Sequence, residues 1–343
     1  MRGLGITPWK RLARRGCAVG LGAWLVLAGV ALAAAPAQML VRFSHVVAPD
    51  TPKGQMVERF QALVEQRSGG RIRVEVYPDS QLYGDHDEIE ALQLGAVEML
   101  APSLSKFSAM GVNGFEVFDL PFLFQDLGQV RCVTRGAIGR QLLDDLSRHR
   151  MVGLGFLDNG FKQMSAAKPL QDIRDFKGLR LRIQASRVVA AQMRALGAHP
   201  VVLPFGETQR ALASGVVDGT ENPLSNFLSQ GLAPVQAAVT LTDHGYLGYA
   251  VVANPRFWAH LAPQDRALLQ QALGEALEQG NRLSAELNAQ ALATLRQSPQ
   301  VRVHALNPAQ RDALRQAMQP LYADFQRRSG AALLQRIQDE CAR

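Results

Sequence analysis

Cysteine is nearly absent from this 343-residue chain, with three residues in all, and only Cys132 and Cys341 lie beyond the N-terminal stretch. Two cysteines so far apart, without C-x-x-C spacing, exclude a disulfide scaffold and a thiolate metal or redox centre. Whether they pair with each other in an oxidising compartment is left open by spacing alone. Catalytic signatures are missing as well: there is no H-E-x-x-H, no G-x-S-x-G, no phosphate-cradling loop and no G-x-G-x-x-G after a strand. The seven histidines are scattered. An excess of one charge is the third absence. The formal charge is +7, yet five of the Lys and Arg residues fall in the first 37 positions, where no acid stands, leaving 32 basic against 30 acidic residues. That balance gives no electrostatic footprint for nucleic acid.

What is present begins with a leader. Arg2, Lys10, Arg11, Arg14 and Arg15 precede an apolar run from Cys17 to Ala35 that ends in small residues, the layout of a secretory signal peptide over 1–37. The run also approaches the roughly 20 residues that span a bilayer, so a retained anchor is the competing reading. Beyond it, Met39 to Val47 reads as a buried strand, and Thr51-Pro52 opens a helix whose apolar face carries Val57, Phe60, Leu63 and Val64 before Gly69-Gly70 ends it. Ile72, Val74 and Val76 alternate with charged residues as a strand does, Asp85 to Leu94 reads as a helix, and Val97 to Ala101 as a short strand. This β-α-β-α-β order predicts a layered α/β lobe. After a break near Leu157-Asp158-Asn159-Gly160 the alternation returns, with a strand over Gly178 to Gln184 and a helix over Ser186 to Leu196, so a second α/β lobe is expected. Between Pro263 and Pro299 leucine recurs at helical spacing without an intervening proline. One helix of that length reaches ~50 Å, longer than a single lobe, and reads as a strut touching both. Gly274 and Gly280 mark where it would kink or break.

Few residues stand out chemically. Asp85-His86-Asp87-Glu88 superficially resembles a metal cluster, but contiguous residues at a helix start point in different directions, and the group reads as a solvated first turn. Arg182 offers two parallel donors that match a carboxylate and stays charged at any working pH. It shares the polar face of an alternating strand with Arg180 and Gln184, and taken alone the three read first as a solvated face. Asn222, in Asp218-Gly219-Thr220-Glu221-Asn222-Pro223, offers both a donor and an acceptor. Lys106 and Lys162 sit just past predicted strands or turns, where α/β lobes open their clefts, and Tyr246 and Tyr249 lie on a Gly-rich apolar strand.

Taken together, Phe43 to Gly54, Phe118 to Phe124, Gly178 to Gln184 and Asp218 to Pro223 occur in the order and spacing of one family. The mature chain resembles the periplasmic receptors of tripartite ATP-independent periplasmic (TRAP) transporters, specifically the C4-dicarboxylate-binding branch of the DctP family. The resemblance implies an α/β, two-lobed periplasmic binding protein fold with a long helix spanning both lobes. We expect residues 38–158 and 248–287 in the first lobe, and 159–247 and 288–343 in the second. It implies a receptor in the periplasm, not an enzyme, with no cofactor or metal, that closes on a small carboxylate such as succinate, malate or fumarate. Its partners would be the small and large permease subunits, its only link to the membrane. By the resemblance, Arg182 is the principal carboxylate contact, helped by Lys162 and Asn222, with Phe205 packing on the ligand. Lys106 would take the distal carboxylate, and Ser103, His45 and Tyr246 are further site residues. Leu157 stands where the branch often has tryptophan, and Gly206-Glu207-Thr208-Gln209 replaces the more usual Ser-Glu-Val-Tyr. These departures bear on the ligand, so another organic acid remains the alternative within the family. A periplasmic enzyme and a sensory receptor are the alternatives outside it.

Overall fold

The computed structural model describes residues 39–329 and 331–341, and the leader expected over 1–37 lies outside them. The elements begin where the sequence punctuates. Thr51 caps the helix Pro52–Ser68, its hydroxyl accepting from the Gly54 amide at 3.1 Å, and Gly69 ends it in the left-handed conformation at φ 62°. Ser186 caps the helix Arg187–Ala195 in the same way, accepting from the Val189 amide.

Nine strands among the described residues form one mixed sheet: β1 (Met39–Ser44), β2 (Ile72–Tyr77), β3 (Met99–Leu100), β4 (Val152–Ala166), β5 (Arg180–Ile183), β6 (His199–Val202), β7 (Gly219–Asn222), β8 (Ala238–Ala253) and β9 (Arg302–Ala305). Their order is β2-β1-β3-β8-β4-β7-β5-β6, with β9 beside β8. The parallel set β2-β1-β3 and the parallel set β7-β5-β6 are the two units expected from the alternating pattern. Between them run the long antiparallel strands β4 and β8, paired from Val152↔Ala253 to Ala166↔Ala238.

The break expected near Leu157 to Gly160 is not a break. The chain passes straight through as β4, with register irregularities between Asp158 and Gly160 and between Lys162 and Met164. The turn-like composition has another cause. Asp158 is buried because its carboxylate accepts from Arg131 at 2.8 Å and Tyr246 at 2.7 Å, while its amide donates to Asn281. Gly160, at φ 134°, lies where a side chain would come within 2.9 Å of Asn288.

The helix Pro263–Gln297 is continuous through Gly274 and Gly280. Its first half sends Leu269, Leu273 and Leu277 into a core shared with Phe43, Phe60 and Val251, and its second half sends Ala291 and Leu295 into one shared with Phe227 and Val239. Gly280 permits a close approach, since a methyl there would meet Met56 Cβ at 2.9 Å. The helix thus reaches the packing on both sides of the β4–β8 pair.

The C-terminal helix Ala331–Cys341 buries Leu334 and Ile337 beside Val130 and Val133, and a disulfide joins Cys341 to Cys132, 209 residues earlier. The last helix therefore packs against the helix that carries Val130 and Val133, where its apolar face finds its complement. The pairing that spacing left open is resolved.

Candidate functional site

Where the two parallel sets approach each other across β8, charged side chains are buried around a small cavity. Arg182 sits on β5 between β6 and β7 and is 1% exposed, whereas Arg180, on the same strand, is exposed and paired with Asp218. The Arg182 guanidinium donates through Nε and Nη2 to the Leu203 carbonyl at 3.0 and 2.8 Å, and its buried Nη1 has no hydrogen-bond partner among the described residues. Burial lowers its pKa, against the fields of Asp85 and Glu221. The Phe205 ring centroid lies 5.9 Å from the guanidinium carbon.

Lys106 and Ser103 line the same cavity from the other side. Lys106 is already answered, for its ammonium is ion-paired with both Asp85 and Glu88. Burial lowers its pKa, but these two carboxylates outweigh that and the net shift is upward. The acidic run expected to be a solvated turn is thus partly interior: Glu88 is 0% exposed, because Lys106 on the next helix, 18 residues on, supplies its counter-ion. Two hydrogen bonds cross the cavity: Ser103 donates to Gln184 Oε1 at 2.5 Å, and the Phe205 amide donates to Asp85.

Lys53 is the residue the sequence reading overlooked. It is 1% exposed, donates to the Ala101 carbonyl at 3.0 Å, and holds its ammonium 3.9 Å from the Tyr249 ring centroid. Burial pushes its pKa down to about 7, a shift moderated by Glu88 and Asp85 and reinforced by Lys106. A signal was available. Lys53 stands four and seven residues before Val57 and Phe60, on the helix's apolar stripe, where a lysine must be buried. Asn226 and Tyr249 complete the polar lining.

The other expected site residues lie elsewhere. Tyr246 packs among Phe118, Phe124 and Phe161 and donates to Asp158, while Leu247 and Tyr249, on the opposite face of β8, line the cavity. His45 is buried and kept neutral, its pKa driven to about 3 by burial and by Lys53, but the wall itself comes from Val46 and Val47. Lys162 on β4 is ion-paired at 3.0 Å with Glu221 of β7, and His244 Nε2 lies 3.5 Å from the same carboxylate oxygen. Asn222 donates to Thr220 Oγ1 at 3.4 Å, and its Oδ1 has no partner among the described residues. Asn222 lies on the strand beside that of Arg182 and Lys162 on the next strand beyond it, and neither lines the cavity.

The cavity has a volume of about 20 Å³. That is room for about one water, so a larger guest enters only as the walls separate. A groove of about 280 Å³ along Phe161, Asn288 and Leu292 is roomier, but the only charged residue in its lining is Asp243. Chemistry and not size singles out the smaller one: it buries Arg182 and Lys53, and among the described residues neither has an ion-pair partner.

Apposed α/β units, a strut helix and an enclosed polar cavity define the class of two-lobed solute receptors that grip a ligand between their halves. The family follows from comparison: the sequence model of the DctP family, "Bacterial extracellular solute-binding protein, family 7", matches residues 43–329, and the chain belongs to this family. It is 45% identical over 320 residues to the C4-dicarboxylate-binding periplasmic protein DctP of Rhodobacter capsulatus, covering 93% of this chain and 96% of that one. Among solved structures, it superposes with a TM-score of 0.87 at 41% identity on a TRAP periplasmic solute binding protein from Shewanella oneidensis with bound succinate, covering 89% of this chain and 99% of that one. A Pseudomonas aeruginosa TRAP solute binding protein with bound L-malate matches with a TM-score of 0.81 at 40% identity, over 83% and 99% of the two chains. The protein is a periplasmic solute-binding receptor and not an enzyme.

Proposed function

We propose that this receptor captures a C4-dicarboxylate and delivers it to the small and large permease subunits of a TRAP transporter. The observation that carries the ligand is the pair of buried cations, Arg182 and Lys53, that face one cavity with no carboxylate of their own. Burying a charge costs several kcal/mol unless an opposite charge compensates it. Two such cations are compensated together by one small dianion. The relatives named above are described as binding C4-dicarboxylates, succinate or L-malate, which supports the same reading.

In this reading Arg182 holds one carboxylate through its forked donors, with Phe205 against the ligand, and Lys53 takes the distal carboxylate in place of Lys106, whose charge Asp85 and Glu88 already neutralise. Lys106, Ser103 and Gln184 form the wall. Asn222, one strand away, comes into reach as the walls separate, while Lys162, two strands away, is held by Glu221. The first lobe is made by 38–158 and 248–287 together with the C-terminal helix, and the second by 159–247 and most of 288–330. The bonds from Ser103 to Gln184 and from Phe205 to Asp85 then lie between lobes. Closure is selected by a ligand that reaches both.

Calorimetric titration with succinate tests this directly. Arg182→Ala should weaken binding by at least about 2 kcal/mol, the typical loss when a buried charge pair loses one member. An unchanged affinity would remove Arg182 from the site.

A further inference from the structure

Arg182 and Lys53 account for two carboxylates, but the cavity holds one more polar atom without an internal role. Asn226 lines it, is 1% exposed, and its Oδ1 has no hydrogen-bond partner among the described residues. The other acceptors nearby are engaged: Gln184 Oε1 takes the Ser103 hydroxyl, and the Asp85 carboxylate takes Lys106 and the Phe205 amide. Asn226 belongs to the Lys53 end of the cavity. It shares the lining with Tyr249, and the Lys53 ammonium stands over that tyrosine's ring. A buried carbonyl oxygen left unpaired carries its full desolvation cost, so a ligand that donates a hydrogen bond there gains over one that does not.

We propose that Asn226 is a specificity-determining residue that reads a hydroxyl group on the carbon chain of the ligand, so that the favoured guest is a hydroxylated C4-diacid. This rests on the dicarboxylate reading above and narrows it. A hydroxyl donates its proton to Asn226 Oδ1 while the carboxylates go to Arg182 and Lys53. An ammonium at the same carbon would also donate, but it would stand beside two buried cations, which disfavours an amino diacid. A keto group has no proton to give and leaves the acceptor unpaired.

The test compares succinate, malate and 2-fluorosuccinate on the wild-type protein by calorimetry, then succinate and malate on Asn226→Leu. Malate, in its better enantiomer, should bind at least about tenfold tighter than succinate. Fluorosuccinate has a substituent of similar size but no donor, and should stay near succinate. In Asn226→Leu the malate advantage should shrink to about twofold or less, chiefly through weaker malate binding. Equal affinities for malate and succinate, fluorosuccinate as tight as malate, or an advantage that survives in Asn226→Leu would each overturn the proposal. Should the variant fail to fold, the three-ligand series on wild type decides alone. Failure of every diacid to bind wild type would instead bring down the dicarboxylate reading, a result distinct from equal binding.

Discussion

Buried cations occur in two settings a strand or two apart, and the difference between them separates architecture from function. Lys162 is answered from within by Glu221, with His244 beside it, and Lys106 is answered by Asp85 and Glu88 although it faces the cavity. Arg182 and Lys53 donate to backbone carbonyls and stand against aromatic rings, and among the described residues neither has a carboxylate paired to it. A buried ion pair is complete without a ligand, whereas a buried cation with no carboxylate paired to it has charge left over for something from outside. Lining the cavity is therefore a weaker criterion than lacking an internal partner, and Lys106 shows why.

The comparison breaks most easily at its architectural side. Lys162→Met strands the Glu221 carboxylate, which is 1% exposed, and should cost about 3–5 kcal/mol of folding stability in denaturant titration. Adding Glu221→Gln should recover much of the loss, because removing both charges leaves none uncompensated. Unchanged stability in Lys162→Met would place Lys162 with the ligand-facing cations instead.

On the functional side, Lys53→Met should weaken succinate binding by about tenfold or more while altering the affinity of a monocarboxylate such as butyrate much less. It removes a buried charge without stranding another, so the melting temperature should hold or rise. Equal losses for both acids would mean that Lys53 does not read the second charge. A change confined to stability would class it with Lys162.

How much of this could be read in the chain follows from how local each signal is. The start at Thr51-Pro52, the stop at Gly69 and the 35-residue strut are set by neighbouring residues, and all three were legible. The pairing of Lys106 with Asp85 and Glu88 is a tertiary fact between separate helices, and nothing near 85–88 announces it. Alternation carried more than was taken from it. Tyr246 and Tyr249 are three apart on β8 and must face opposite ways, so only one could meet a ligand. Alternation also put Arg180 and Arg182 together, and there it had no power to show that one ends in solvent against Asp218 while the other is enclosed between β6 and β7.

The gentlest consequence is a dependence on pH. Lys53, with His45 neutral beside it and Lys106, Asp85 and Glu88 facing it, has its pKa depressed to about 7 by burial. A carboxylate arriving next to it favours the charged form, so above pH 7 binding must return a proton to the ammonium. Affinity for a dicarboxylate should then fall as pH rises from 7 to 9, by at most about tenfold per unit for a single proton, and stay level just below 7. Stability of the free receptor moves the other way. Between about 7 and the ordinary lysine range the unfolded chain holds a proton that the folded one has released, so Lys53 adds stability as pH rises through that window. Titrations at pH 8 in two buffers of different ionisation enthalpy measure the proton taken up, and Lys53→Met should abolish that uptake. A flat affinity from pH 7 to 9 with no buffer dependence would show that Lys53 keeps its charge before the ligand arrives. It would then join the cations whose charge the protein stabilises for itself, and the line drawn between the two settings would fall at Arg182 alone.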